Sequence, residues 1–282
     1  MNQQDIKNSD TSIFGDWINK DIVVVEEPFT HIIIDNFLKK DVIDKVFDEI
    51  PDLNNDFHKY YNPLEIKYAY NEIDKLKSNI KNVFYTLSHT KIIDKLKQIF
   101  NIDNLEYDPL LHGAGIHLHP NNGRLHMHLD YEKHPILKNK QRILNIILYL
   151  NKEWKTEWNG DTQLWNKDML ECKVRSYPKY NKAIIFKTSE DSWHGVPDII
   201  KCPENEFRKT LAFYYIKPLD NTKNKNKNKK GANIDGYREK AVFTKRPFDI
   251  YDEKIDTLYK IRPFRRITNE DLIKLYGENY KF

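Results

Sequence analysis

A mainly β fold with α-helices packed on one outer face is what this chain predicts, and three observations carry that expectation. Ala183-Ile184-Ile185-Phe186 and Arg208-Lys209-Thr210-Leu211-Ala212-Phe213-Tyr214-Tyr215-Ile216 are short runs rich in β-branched and aromatic residues, as buried strands are. Val42, Ile43, Val46, Phe47 and Ile50 recur at helical spacing and stop at Pro51. Two further amphipathic stretches follow, roughly Glu72 to Leu87 and Lys91 to Phe100, the second with Ser88 or Thr90 as its cap. Their apolar stripes suit buttresses laid against a sheet.

In chain order, residues 1–20 read as a flexible polar arm, and 21–104 as N-terminal strands with supporting helices. Asp21 to Val25 and His31 to Ile34 are its β-type runs. Residues 105–219 form the strand-rich core, 220–236 a low-complexity basic loop, and 237–282 a C-terminal extension. In that extension Asp252 to Tyr259 and Asp271 to Tyr276 look helical, with Thr268 as a cap three residues before Asp271 and Gly277 as a stop. Arg262-Pro263-Phe264-Arg265-Arg266 is a basic cluster that could cover one end of the core, contact acidic substrate or face water, and the structural cover is the favoured reading. There is no internal repeat.

With 282 residues, 39% of them hydrophobic, the chain can bury one substantial core without staples. Its two cysteines, Cys172 and Cys202, suggest no disulfide framework and favour a reduced, cytoplasmic setting. The N-terminus lacks an apolar signal core, and no apolar run is long enough to span a bilayer, so a soluble protein is expected. A net charge of +4 with 31% charged residues is close to balance and argues against nucleic acid. The basic run Asn221 to Gly231 has no interleaved aromatic ring, which favours a solvated loop over a phosphate-binding strip. Nothing in the sequence sets an oligomeric state.

The chemistry-bearing motif is His128-Leu129-Asp130, which follows the turn signal Asn121-Asn122-Gly123. In a strand, residues i and i+2 face the same way, so His128 and Asp130 can grip one metal from a rigid element. His194, after the strand at 183–186 and before Gly195-Val196, supplies a third ligand. Two imidazoles and a carboxylate on one face of Fe(II) leave three positions open. Arg208 follows at a spacing that suits a loop and the return strand of a hairpin-like pair, so its guanidinium would face the same interior and accept a carboxylate bidentately. Thr210, two residues on, adds a hydroxyl. His112, His117, His119, His126 and His134 crowd the same stretch without a nearby cysteine, which argues against a separate zinc site. His126 is read as a pocket residue beside the ligands, and His117 and His119 as lining the mouth or as ordinary hydrogen-bonded histidines.

Tyr149-Leu150-Asn151-Lys152-Glu153-Trp154 and Trp158-Asn159-Gly160-Asp161-Thr162-Gln163-Leu164-Trp165 resemble the segment after the H-x-D strand in 2-oxoglutarate- and Fe(II)-dependent prolyl hydroxylases of the prolyl 4-hydroxylase type, including the oxygen-sensing ones. Tyr177 to Phe186 and His194-Gly195-Val196 are similar to that family's strand and distal ligand, and Pro28 to Leu38 also fits the superfamily. The resemblance spans Gly113 to Ile216. It implies a double-stranded β-helix, or jelly roll. It also implies His128, Asp130 and His194 as iron ligands, and Arg208, Tyr149 and Thr210 as residues for 2-oxoglutarate, with Tyr149 helping to hold the distal carboxylate. Fe(II), 2-oxoglutarate as co-substrate and O2 follow as requirements, with ascorbate as an optional reductant and succinate and CO2 as co-products. The implied substrate is a prolyl residue of a protein or peptide. Two alternatives stay open: a free amino acid or small metabolite as substrate, and a cupin-like metal protein that does not use 2-oxoglutarate. Two departures bear on substrate choice. Gly160-Asp161 stands where relatives often have Gly-Gly, and the Tyr131 to Gln141 loop is longer than in the oxygen-sensing enzymes.

Overall fold

A computed structural model describes residues 1–220, 230–233, 235–278 and 280. The basic run of the low-complexity loop, residues 221–229, lies outside the described residues. Six α-helices are present among them: α1 (Gln3–Lys7), α2 (Lys40–Asp48), α3 (Ser78–Leu87), α4 (Thr90–Phe100), α5 (Glu253–Ile261) and α6 (Asn269–Tyr276). The strands are β1 (His31–Ile34), β2 (His58–Asn62), β3 (Glu65–Tyr70), β4 (Glu106–Tyr107), β5 (Gly115–His119), β6 (Arg124–Leu129), β7 (Lys140–Tyr149), β8 (Thr162–Trp165), β9 (Cys172–Ser176), β10 (Ala183–Lys187), β11 (His194–Val196), β12 (Arg208–Pro218) and β13 (Val242–Phe243).

All strand pairings are antiparallel and run in the order β1-β10-β7-β12-β5-β3-β6-β11-β8-β9. β3 is the link that curls the sheet, pairing through Tyr68–Tyr70 with β5 and through Glu65 and Ile66 with β6. The first half, from β1 to β5, thereby faces the second half, from β6 to β9, across one cavity lined by residues of both. This is the jelly-roll arrangement expected from the sequence.

Strict alternation decides what each half presents to that cavity. On β7, Leu144, Ile146 and Leu148 point outward into the main core, whereas Asn145 and Ile147 line the cavity. On β12, Leu211, Phe213 and Tyr215 point outward while Arg208, Thr210, Ala212 and Tyr214 line the cavity; on β5, Ile116 and Leu118 oppose His117 and His119 in the same way. The outward set is covered by the apolar stripes of α2, α3 and α4, including Ile43, Val46, Ile80, Phe84, Ile92 and Leu96. Tyr215 donates from its hydroxyl to the Leu87 carbonyl at 2.8 Å and so ties α3 to the sheet.

Several local expectations needed correction. Asp21 to Val25 forms no strand, only an isolated bridge from Val25 to His31, and Val23 is exposed. The stretch from Glu72 divides into a 3-10 turn at Ile73–Lys75 and α3, because Leu76 and Lys77 are extended. α4 is capped by His89, whose Nδ1 accepts from Lys91 N, rather than by Ser88 or Thr90. In the extension, Thr268 and Asp271 form a reciprocal capping box on α6, and Asp252 caps α5. Cys172 and Cys202 are both free. No helix among the described residues is long and apolar enough to cross a membrane.

Candidate metal centre

His128 lies near the end of β6, Asp130 just beyond it, and His194 opens β11 directly opposite His128 in register. Their ligand atoms lie within 4.8 Å of one another, and all three side chains are buried. His194 Nε2 is 3.4 Å and His128 Nε2 3.8 Å from the two oxygens of Asp130. Each imidazole uses its other nitrogen elsewhere: His128 Nδ1 donates to the His126 carbonyl at 3.0 Å, and His194 Nδ1 to the Ser192 carbonyl at 2.8 Å. That fixes the tautomer and leaves both Nε2 lone pairs aimed at Asp130. Burial lowers the pKa of both histidines, so they are neutral donors. Burial opposes ionisation of Asp130, but Arg142 and the two histidines outweigh it and hold the carboxyl well below the usual carboxylate range. Two neutral imidazoles and one ionised carboxylate fit a divalent iron ion.

The strand β6 carries a bulge at this point. Val196 pairs with Leu125 but His194 with His128, so β6 has one residue more than β11 between the two pairs. The extra residue breaks the alternation, and His126 does not line the pocket beside the ligands as its i, i+2 position led one to expect. Its side chain instead bonds the Tyr259 hydroxyl of α5 at 2.8 Å and stacks on Tyr251. The bulge also explains Gly195, where a Cβ would lie 2.8 Å from the Leu125 carbonyl oxygen and 3.0 Å from that of His126.

Asp130 is held from behind by two residues of β7 that the sequence reading missed. Asn145 donates to its Oδ2 at 2.8 Å, and Arg142 Nη2 lies 3.2 Å from the same oxygen. Arg142 Nε in turn donates to the Asn145 amide oxygen at 2.7 Å, and its guanidinium lies 3.3 Å from the Tyr214 ring centroid. The available signal was an arginine and an asparagine inside an otherwise aliphatic strand, since buried polar groups need partners.

Arg208 is 2% exposed and lies in the same cavity, but β11 and β12 are not the hairpin-like pair anticipated. β11 pairs with β6 and β8, and β12 with β4, β5 and β7, so the connecting segment crosses from one half of the sheet to the other. Arg208 donates from Nε to the Gly160 carbonyl at 2.6 Å and from Nη2 to Thr162 Oγ1 at 2.9 Å. No carboxylate among the described residues lies within ion-pair distance of it, and burial lowers its pKa. A buried guanidinium without an acid is the chemistry a ligand carboxylate completes. Thr210 lines the cavity on the same face of β12. Tyr149 does not line it: its hydroxyl bonds the Ser176 carbonyl at 2.7 Å and Thr162 Oγ1 at 2.8 Å, and its ring sits 5.2 Å from the Arg208 guanidinium carbon. Tyr149 is thus joined to Arg208 through the Thr162 hydroxyl.

The two departures noted in the sequence have structural answers. Asn159 and Gly160 both have positive φ, and Asp161 turns its buried carboxylate to Arg175 at 3.0 Å, so the turn still presents the Gly160 carbonyl to Arg208. The 131–141 loop is anchored by His134, whose Nδ1 accepts from the backbone of Ile136 and Leu137 and whose Nε2 donates to Asp108 at 3.2 Å. His117 and His119 line the cavity; His117 Nε2 and both ring nitrogens of His119 are buried without a hydrogen-bond partner.

Residues 114–216 match the family model described as the 2OG-Fe(II) oxygenase superfamily. No curated protein sequence matches the chain. Among solved structures, the chain is similar to a prolyl-4-hydroxylase from Pseudomonas putida, at 15% identity over 67% of this chain and 92% of that one, with a TM-score of 0.49. A prolyl hydroxylase from Trichoplax adhaerens in complex with a hypoxia inducible factor peptide matches at 13% identity over 76% and 91%, with a TM-score of 0.46. HygX from Streptomyces hygroscopicus, with nickel, 2-oxoglutarate and hygromycin B bound, matches at 11% identity over 67% and 83%, with a TM-score of 0.42. Residues 114–216 thus form a 2OG-Fe(II) oxygenase domain, and the buried His128, Asp130 and His194 within it fit the iron of a non-haem dioxygenase.

Proposed function

We propose that His128, Asp130 and His194 hold Fe(II), that Arg208 with Thr162 and Thr210 receives the distal carboxylate of 2-oxoglutarate, and that the enzyme hydroxylates a C–H bond of a prolyl residue in a protein or peptide. The observation that carries the metal assignment is the convergence of the three ligand atoms within 4.8 Å while both outer histidine nitrogens are already engaged. When bound, iron with 2-oxoglutarate and O2 supplies the oxidation, with succinate and CO2 as co-products. The chain's own residues do the positioning. Arg142 and Asn145 keep Asp130 ionised and oriented, and Tyr149 holds the Thr162 hydroxyl against Arg208. Phe243 and Phe186 cover the outer faces of His128 and His194, with ring centroids 5.2 and 4.7 Å away, and shield the ligands from water. Support for a prolyl substrate comes from the Tyr149-Leu150-Asn151 and Trp158 to Trp165 motifs and their likeness to prolyl hydroxylases.

The test is an anaerobic titration with Fe(II) and 2-oxoglutarate, read by the weak visible charge-transfer band of the chelate. The band is expected in the wild type and absent in Asp130→Ala, and prolyl peptides should then stimulate succinate release. Iron binding without the band would favour a cupin-like protein. Succinate release driven by a free amino acid and by no prolyl peptide would replace the substrate assignment and leave the cofactors standing.

A further inference from the structure

The cavity mouth carries more positive charge than the described residues neutralise. Charged side chains there are Glu65, Lys67, Glu239, Lys240, Arg262 and Arg266. Both acids are taken: Glu65 by Lys67 at 3.0 Å, and Glu239 by Lys138 at 2.9 Å. Among the described residues, no carboxylate lies within ion-pair distance of Lys240, Arg262 or Arg266. Of the basic cluster read as a structural cover, only Arg265 behaves that way, pairing with Asp271 of α6.

Arg262 is the informative member. It follows α5 directly, its backbone N–H closing that helix on the Leu258 carbonyl, and its Nη1 is buried with no hydrogen-bond partner. Its guanidinium carbon lies 5.1 Å from the Phe243 ring centroid, and Phe243 stacks on His128, so one aromatic ring separates it from a metal ligand. His117 Nε2, which lines the same cavity from β5, is also buried and unpartnered among the described residues. Arg266 lies over the Tyr60 ring at 5.9 Å and completes the rim. A guanidinium with a buried, unpartnered nitrogen is unfavourable, and an incoming anion that pairs with it relieves that cost. A prolyl ring is neutral and would leave it in place.

We propose that Arg262, with Arg266 and Lys240, forms an anion subsite that holds a carboxylate of the substrate while its target C–H faces His128, Asp130 and His194. This rests on the metal-site assignment above and narrows the substrate to one carrying a carboxylate near the oxidised carbon, either an acidic side chain beside the proline or the carboxylate of a free amino acid. Arg208 is engaged separately with Gly160 and Thr162, partners that none of Arg262, Arg266 and Lys240 shares.

The experiment uses the full chain loaded with Mn(II) and 2-oxoglutarate without oxygen, and reads ligand binding by paramagnetic broadening of ligand proton resonances. Two matched pairs are compared: acetyl-Ala-Pro-Glu-amide against its Gln analogue, and free proline against prolinamide. In at least one pair the carboxylate member should bind about tenfold tighter, and the pair that shows it identifies the source. Arg266→Gln, at an exposed position, should lower that preference; Arg262→Gln should bring the carboxylate member down to the affinity of its amide partner, and Arg262→Lys should retain part of the preference. Equal binding within both pairs, a preference that survives both Gln variants, or failure of all four ligands to bind would overturn the subsite. Binding of Mn(II) and 2-oxoglutarate is measured in the same samples. Its loss would strike the metal-site assignment instead.

Discussion

The two walls of the cavity differ in how fully their polar groups are engaged. On the wall built from β6 and β11, every outward-facing ligand atom is occupied: His128 and His194 by carbonyls, Asp130 by Arg142 and Asn145. On the opposite wall, formed by β5 and β12, His117 and His119 keep buried nitrogens without partners among the described residues, and Arg208 lacks an acid. Buried polar groups are ordinarily paired, so the contrast separates a wall organised in advance for a metal from one organised to receive organic anions.

The largest expected effect tests the second wall. Arg208→Ala removes the cation that a distal carboxylate would need, and truncating one side of a buried charge pair costs about 2–5 kcal/mol. The 2-oxoglutarate concentration for half-maximal turnover should rise on the order of a hundredfold or more; an unchanged value would mean that the contrast between the walls is not about the co-substrate. Next comes the first wall. Arg142→Met should weaken iron affinity by about 10–100-fold through Asp130, since supporting partners of metal ligands typically contribute that much. Iron titration monitored by protein fluorescence checks this, and intact affinity would show that Asn145 orients Asp130 alone.

A smaller effect is expected from pH. Burial pushes His112, at the cavity rim, down to about 4 from its ordinary 6.5. The unfolded chain therefore takes up this proton first as pH falls. The contribution of His112 to stability is present above pH 6.5 and is lost progressively toward pH 4. Urea midpoints of the metal-free protein should drop over that window, and His112→Gln should flatten the drop; an identical profile in the variant would remove His112 as the cause. The smallest change is Tyr149→Phe. It removes hydrogen bonds to Ser176 and Thr162, worth about 1 kcal/mol, and should raise the 2-oxoglutarate requirement only a fewfold. A loss as large as that of Arg208→Ala would restore a direct contact with the co-substrate.

The pattern of success in the sequence reading follows from the range of the interactions involved. Local signals were legible: the apolar runs at 183–186 and 208–216, the helical stripes, the Thr268 cap and the His128-Leu129-Asp130 motif all declare themselves within a few residues. What depends on distant partners was not. The outward turn of His126 follows from a bulge that becomes visible only once β11 is laid beside β6. The pairing of Arg142 with Asp130 joins two strands that are not neighbours in the sheet. The β2–β3 hairpin was passed over because its Lys and Tyr residues lack aliphatic alternation, although Asn62-Pro63 is a turn signal. Its importance is topological, since β3 is the strand that joins the two halves.

The late position of β13 and α5 in the chain has a consequence for biosynthesis. The metal ligands and Arg208 have all been made before Phe243 and Arg262 are synthesised, yet those two complete the shield of His128 and the rim of the cavity. Domains fold as units during synthesis. Because β13 pairs with β6 in the same sheet, covering of His128 waits on the last part of the chain to emerge, and a product truncated before Val242 would leave that ligand without its aromatic cover.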